Sequence, residues 1–559
     1  MDAALRALVA RKDAWATLHP LDRVDLLERT RVTTWEAANA LVDDAIGAKG
    51  ALRGGQAEAE EWLAGPYAVL RNLRLLARSL REISRYGAPR PPGRPHANAA
   101  GRVVVRVFPA DNYDRVLFSG YSADVTMAPD VTLEGFTSAQ AGAYHAQRRN
   151  EARGEVALVL AAGNVSSIGP MDALHVLFAE NAVVLLKTNP ANPYVGRFVE
   201  RAFAPLIEAG ALRVVHGGAD EGAWLAAHPA IDRIHVTGSD RTHDAIVFGA
   251  GDEGARAKAA GERRNPRPIT SELGNVSPIV VVPGPWTDAD LAAQGLNIAS
   301  ALANNAGFNC VSARVIVQSA RWEQRVALLD AVRGQLALAP TRAAWYPGAE
   351  ARHAEFVAAH PEAERFGHAA EGELPWTLVA GVDPAAEDEI CFQREAFCAL
   401  MAETALPAEG PVAFLDAATR FCNERLWGTL AATIVIHPAS LREPGVADAL
   451  ERAIDGLRYG TVVVNHFPGL AYALTTTPWG GAPGQPATDI QSGRGFVHNT
   501  LLLDHPEKTV VRGPFRPFPK PPWWLGHKRA LDVARGLVDL EAEPSLWKLA
   551  RVVRAGLRG

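Results

Sequence analysis

The 559-residue sequence holds only four cysteines, Cys310, Cys391, Cys398 and Cys422, and no CxxC pair. That argues against a secreted disulfide framework and against cysteine-held zinc, and no metal is expected; a reducing cytoplasm is the expected compartment. A charge excess is also missing, since 57 Lys+Arg against 62 Asp+Glu leave a formal net charge of −5. No overall field invites nucleic acid or an anionic membrane. Long apolar runs are lacking as well. The first twenty residues are interrupted by Asp2, Arg6, Arg11, Lys12 and Asp13, unlike a signal peptide. The most apolar stretch, 156–186, is broken by Asn164, Pro170, Asp172, His175, Glu180 and Asn181, and so fails as a membrane span. Neither an internal repeat nor a low-complexity tract is found.

What is present belongs to a globular enzyme of at least two domains: 48% hydrophobic and 21% charged residues on a chain too long for one core. Val69, Leu73, Leu76, Leu80 and Ile83 share a helical face that Gly87 ends. A Pro/Gly-rich connector follows, then VVVRVFP (103–109) and DRVLFSGYSADVTM (114–127), read as strands or an extended arm. From 156 short β-branched runs alternate with helices: 156–160, 182–187, 212–217 and 233–238. Such alternation predicts a parallel sheet covered on both faces, with ligands beyond the strands' carboxyl ends. A second alternating stretch starts at 277–284, continues through a helix 288–305 and a strand 314–319, and ends near 462–465. Past 512 the chain turns Pro-rich and aromatic, then helix-like.

Cys310 follows a predicted helix and the polar run Asn304-Asn305-Ala306-Gly307, and precedes a strand, where a site loop belongs. A thiolate there is a candidate nucleophile.

Five ordered segments between 156 and 512 resemble the aldehyde dehydrogenase superfamily: AAGNVSSIGP with AENAVVLLKTNPANP, HPAIDRIHVTGS, TSELGNVSP, NNAGFNCVSARVIV, and REAF followed by GTVVVNHF and PWGG. The resemblance implies Cys310 as nucleophile, Glu272 as the base that activates water against the thioester, and Asn164 as a side-chain donor to the oxyanion beside the Cys310 N–H. For NAD or NADP it implies Lys187 at the adenine ribose, Gly238 and Ser239 at the pyrophosphate, and Glu395 with Phe397 at the nicotinamide ribose and ring. Asn465 and Trp479-Gly480-Gly481 match positions near the substrate funnel. His243 and Asn275 stand where relatives have glycine, and Pro190 where NAD-preferring members carry an acid, so NADP is expected to be accepted as readily as NAD. Gly163 replaces a common Trp, as in relatives similar to LuxC-type acyl-CoA reductases, and implies a wider pocket. The polar stretch 249–268 is read as a surface insertion.

The expected fold is α/β, an aldehyde dehydrogenase fold. Its parts are a helical portion of the cofactor domain (1–100), a β-arm for oligomerisation (101–145), a Rossmann-like domain (146–271), a catalytic α/β domain (272–497), an oligomerisation strand (498–513) and a tail (514–559). An exposed strand edge calls for a dimer or tetramer. In the tail, Leu546, Leu549, Val553 and Leu557 form an apolar stripe expected to dock on a neighbouring subunit or a membrane surface. Three readings stay open: hydrolytic oxidation of an aldehyde to an acid, release of the thioester to CoA, and a catalytically retired scaffold.

Overall fold

Residues 1–559 are described by a computed structural model. The runs VALVL and VVLLK become the adjacent strands Val156–Leu160 and Val183–Lys187, buried on both faces, as continuous apolar runs in a parallel sheet require. They are central in a six-stranded sheet that runs Gly493–Arg494, Ile269–Leu273, Arg233–Gly238, Val156–Leu160, Val183–Lys187, Leu212–Val215. From Val156–Leu160 the chain winds outward one way and then returns on the other side. The crevice at that reversal is where an open α/β sheet binds its ligand.

The second sheet has eleven strands, with Pro278–Val281 between Val315–Ser319 and Ala431–Val435. Glu272 and Leu273 still belong to the first sheet, and the next strand, Pro278–Val281, belongs to the second. Gly493–Arg494 also returns to the first sheet, antiparallel to Ile269–Leu273.

Two expectations are corrected. The strands Val103–Phe108, Ser122–Met127 and Pro506–Arg512 do not project as an arm. They extend the chain's own second sheet, Pro506–Arg512 lying parallel to Thr461–Val464. Val105, Val107, Val125 and Val511 are fully buried there, and the two-residue strand His96–Ala97 pairs with Val103 and Val104 at the outer edge. Residues 114–117, read as strand, complete the helix Asn112–Leu117. Asp111 caps it by accepting from Asp114 N, and the Asp114 carboxylate takes a two-pronged bond from buried Arg71, both at 2.8 Å. An Asp three residues before another Asp was the local signal for that cap.

The first helix of the tail docks on its own chain, while the stripe Leu546, Leu549, Val553 and Leu557 of the last helix stays partly or fully exposed. Val533, Ala534 and Leu537 of Ala530–Ala542 pack with Trp62, Tyr67 and Leu70 of the N-terminal helices, and Glu541 accepts from Arg71 and Arg74. In Leu546–Gly556 the buried residue is Val552, while Leu546 and Trp547 stay about three-quarters exposed, at 78% and 75%. No helix is long and apolar enough to cross a membrane.

Candidate active site

The helix Asp288–Ala303 carries the chain back from the strand Pro278–Val281 to that strand's amino end, and Cys310 lies in the loop that follows. Ser277 Oγ, just before the strand, donates to the Cys310 carbonyl at 3.3 Å. The thiol therefore sits at the amino-terminal edge of the second sheet, facing the carboxyl edge of the first, where Glu272 ends Ile269–Leu273. Strand ends of opposite polarity thus meet across one cleft.

The loop is held in a conformation that most side chains avoid. Asn305, Ala306 and Gly307 all have positive φ, 50°, 56° and 81°. A Cβ on Gly307 would come within 2.5 Å of the Cys398 carbonyl oxygen, so this position requires glycine. Buried Arg314 donates to the Gly307, Cys398 and Leu400 carbonyls. Asn305 Nδ2 reaches the Asn164 carbonyl at 3.0 Å, and Lys49 Nζ reaches the same carbonyl at 3.3 Å, Asn305 Oδ1 at 3.0 Å and Glu61 at 2.6 Å. Lys49 and Glu61 form an ion pair that is almost wholly buried. Removing one partner strands the other charge in the core, so Lys49→Met is expected to cost ~3–5 kcal/mol. The urea unfolding midpoint reads it, and an unchanged midpoint refutes the role.

Cys310, Glu272 and Trp479 line one cleft, with the thiol and the carboxyl near enough to shift each other's ionisation. Burial, reinforced by the charge of Asp172, pushes Glu272 up to about 8. Burial together with Glu272 and Glu395 raises the Cys310 thiol well above its ordinary value, so it rests neutral and needs a base. Glu272 Oε1 is buried without a hydrogen-bond partner. Asn164 lines the cleft; one N–H of its amide is engaged by the Phe308 carbonyl at 2.9 Å and the other is left over.

Glu395 is drawn close to Gly274, where a Cβ would meet its carboxylate at 2.0 Å. Burial raises it to about 8 against the pull of Arg314, and its Oε1 has no partner. Phe397, at φ 42°, packs edge-on to Tyr346 with ring centroids 4.9 Å apart. Lys187 ends its strand in a second cleft at the sheet's point of reversal and donates to the Gly217 carbonyl at 2.7 Å. Gly238 and Ser239, expected at the pyrophosphate, are exposed and do not line that cleft, although their neighbour Thr237 does. Ser239 caps the helix Asp240–Phe248 by accepting from Thr242 N, and Thr242 and Ala245 line the cleft.

Residues 249–268 are not merely a surface insertion. They form the helix Gly251–Ala260, whose Ala257 packs on Val247 and Phe248, and they bring Arg264 and Arg267 to the second cleft. Nothing in their spacing marked those arginines as lining residues. Gly163 does not widen the substrate cleft: a Cβ there would lie 2.7 Å from Asn189 Oδ1 and 2.8 Å from the Ala191 Cβ, so packing against the 189–191 turn demands glycine. Asn275 keeps a negative φ and donates to Ser277 and the Ala431 carbonyl, so its turn needs no glycine. Asn465 serves the scaffold, accepting from Ile436 N. Away from both clefts, His360, Glu389 and Cys391 bring potential ligand atoms within 4.8 Å of one another, but the His360 ring nitrogens already contact Glu389 and Glu362 at 2.9 and 3.0 Å.

Residues 125–359 match the aldehyde dehydrogenase family. Over this stretch the chain is similar to the aldehyde dehydrogenase superfamily. It is 33% identical over 142 residues to N-succinylglutamate 5-semialdehyde dehydrogenase of Sphingopyxis alaskensis, covering 25% of this chain and 26% of that one. The enzyme of the same name from Ectopseudomonas mendocina is 31% identical over 163 residues, 29% of this chain and 30% of the relative. The aligned stretches thus span under a third of these relatives. The aldehyde dehydrogenase fold extends much further: the Mycobacterium tuberculosis aldehyde dehydrogenase solved with NAD+ superposes with a TM-score of 0.60 at 18% identity, over 92% of this chain and 90% of that one.

Proposed function

We propose that the protein oxidises an aldehyde to a carboxylic acid with NAD or NADP, Cys310 carrying the acyl group and Glu272 directing its hydrolysis. The carrying observation is the pair itself: a neutral thiol beside a buried carboxyl that has one oxygen unpartnered, at the junction of two sheets. The second cleft fits a dinucleotide by the chemistry of its donors. Lys187 and Arg264 line it for phosphate and ribose, the helix Asp240–Phe248 runs along it through Thr242, Ala245 and Ile246, and outside it the orphaned Glu395 oxygen suits a ribose hydroxyl. Arginines in that cleft and Pro190 in place of an acid favour admitting the 2′-phosphate of NADP. A bound nicotinamide dinucleotide supplies the hydride acceptor.

In this reading Glu272 takes the thiol proton as Cys310 sulfur bonds to the aldehyde carbon. The oxyanion is met by the free N–H of Asn164 and the Cys310 backbone N–H. After oxidation the acyl group stays on Cys310 as a thioester. Once Glu272 has passed the thiol proton to solvent, it removes a proton from water, whose oxygen bonds to the acyl carbon as the C–S bond breaks, and returns that proton to the leaving sulfur, releasing acid and restoring the thiol. CoA in place of water would make Glu272 dispensable at this step. Gly163, the residue that pointed toward CoA-linked relatives, is accounted for by packing. The substrate named for the relatives, N-succinylglutamate 5-semialdehyde, is not carried over to this chain.

A panel of aldehydes with each dinucleotide, with and without CoA, tests the proposal by the absorbance of the reduced cofactor. CoA-independent oxidation is expected; strict dependence on CoA overturns the hydrolytic step. The base must be ionised to act, and its pKa is raised to about 8, so turnover limited by hydrolysis is expected to rise with pH and reach half its maximum near that value. A pH-independent kcat across neutrality would contradict this role for Glu272.

A further inference from the structure

The cleft at Cys310 is lined mostly by hydrophobic residues, with Glu272, Asn164, Asn304, Asn309 and Glu60 as its polar ones. Above Glu272, Asn164 and Cys310 its walls come from distant parts of the chain: Leu63 and Tyr67 from the N-terminal helices, Phe118 from the turn before Ser122–Met127, and Phe467 and Leu470 after Thr461–Val464. No Lys, Arg or His lines it, and its other carboxylate, Glu60, is paired with Arg342 and accepts from Asn305 N. One wall residue, Trp523, belongs to the Pro-rich tail. The indole Nε1 of Trp523 is buried without a partner.

That tail segment is pinned beside the nucleophile. Gln294 Nε2 donates to the Phe515 carbonyl at 2.6 Å, Leu525 N donates to Ser300 Oγ at 2.9 Å, and Gln56 Nε2 donates to the Pro522 carbonyl at 2.8 Å. Gln294 and Ser300 lie on the buried face of Asp288–Ala303, the helix that leads into the Cys310 loop. The strap is thus fastened to the same helix that places the thiol.

We infer that residues 514–529 form a wall of the substrate cleft and that Trp523 is a specificity-determining residue, the cleft being shaped for an uncharged aldehyde with an extended apolar body. This rests on the aldehyde-oxidising reading above. An anionic aldehyde would bring its carboxylate beside Glu272 and Glu60 with no lining cation to meet it. An apolar chain instead gains contact with aromatic and aliphatic walls in proportion to its length.

The test compares kcat/KM for heptanal, propanal and succinic semialdehyde in the wild type, Trp523→Ala and Trp523→Phe. Wild-type preference for heptanal over the semialdehyde is expected at ~100-fold or more. Trp523→Ala is expected to lower kcat/KM for heptanal ~10-fold, through KM, and that for propanal less than ~3-fold, because the lost contact is made equally in ground and transition states. Trp523→Phe should restore most of the heptanal preference. Equal losses for both alkanals, or a wild type that favours the semialdehyde, overturn the inference. A readout free of turnover separates its failure from failure of the proposed function. Cys310 alkylation by iodoacetamide and by iodoacetate is compared by peptide mass, each rate normalised to glutathione. The neutral reagent should react ~10-fold or more faster in relative terms, and an N-alkylmaleimide with a long chain should lose its advantage over N-ethylmaleimide in Trp523→Ala. Indifference to charge and chain length refutes the apolar cleft even if no aldehyde is turned over; the expected selectivity without turnover refutes only the oxidation.

Discussion

Cys310→Ala is expected to bring aldehyde oxidation down by at least ~10⁴-fold, to the background of the assay, because no other group within reach can hold the acyl intermediate. Cys391, Cys398 and Cys422 are buried, and burial raises all three thiols, so none substitutes. Dinucleotide affinity should be unchanged, since the cofactor cleft is lined by residues of the first sheet and its helices and not by the thiol. Initial rates and a titration of nicotinamide fluorescence check both halves. Residual oxidation within ~10-fold of wild type would remove Cys310 from the mechanism.

Glu272→Gln separates the two halves of the reaction. The amide cannot accept a proton from water, and loss of a positioned general base slows its step ~10²- to 10⁴-fold, so steady-state turnover should collapse. Oxidation precedes that step, and one reduced cofactor per active site should still form in a burst. Glu272 is also the base beside the resting thiol, so the burst should be slower than in the wild type while keeping its full amplitude. The shape is the same and the side chain is buried, so a folding defect would show as a lost amplitude rather than a slowed one. Rapid-mixing absorbance resolves the two, and undiminished steady-state turnover would sink the base assignment.

Local pattern in the sequence was enough for the helix Ala68–Tyr86, for the alternation that builds the first sheet, and for Cys310 in a loop between helix and strand. It was not enough where a residue's role depends on a partner far along the chain. Lys49 looks like an ordinary helix-end lysine, yet it is closed in by Glu61 and Asn305 and reaches the backbone of Asn164. Arg314 opens a β-branched run and gives no hint that it will hold the Gly307 and Cys398 carbonyls in place. The strands meant for an arm carry the same alternation whether they pair within the chain or between chains, so period alone did not decide their partner. The tail's charged helix concealed its anchor because Glu541 is stabilised by Arg71 and Arg74 from the far end of the sequence.

The central claim is that the acyl group rides on Cys310 until Glu272 releases it. Peptide-mapped mass spectrometry of Glu272→Gln, quenched after mixing with heptanal and dinucleotide and without CoA, tests it directly. The peptide containing Cys310 should carry the heptanoyl mass at near-stoichiometric yield, and the adduct should disappear when Cys310→Ala is added to the variant. An unmodified Cys310 peptide after a full burst, or an adduct on another cysteine, would contradict the account.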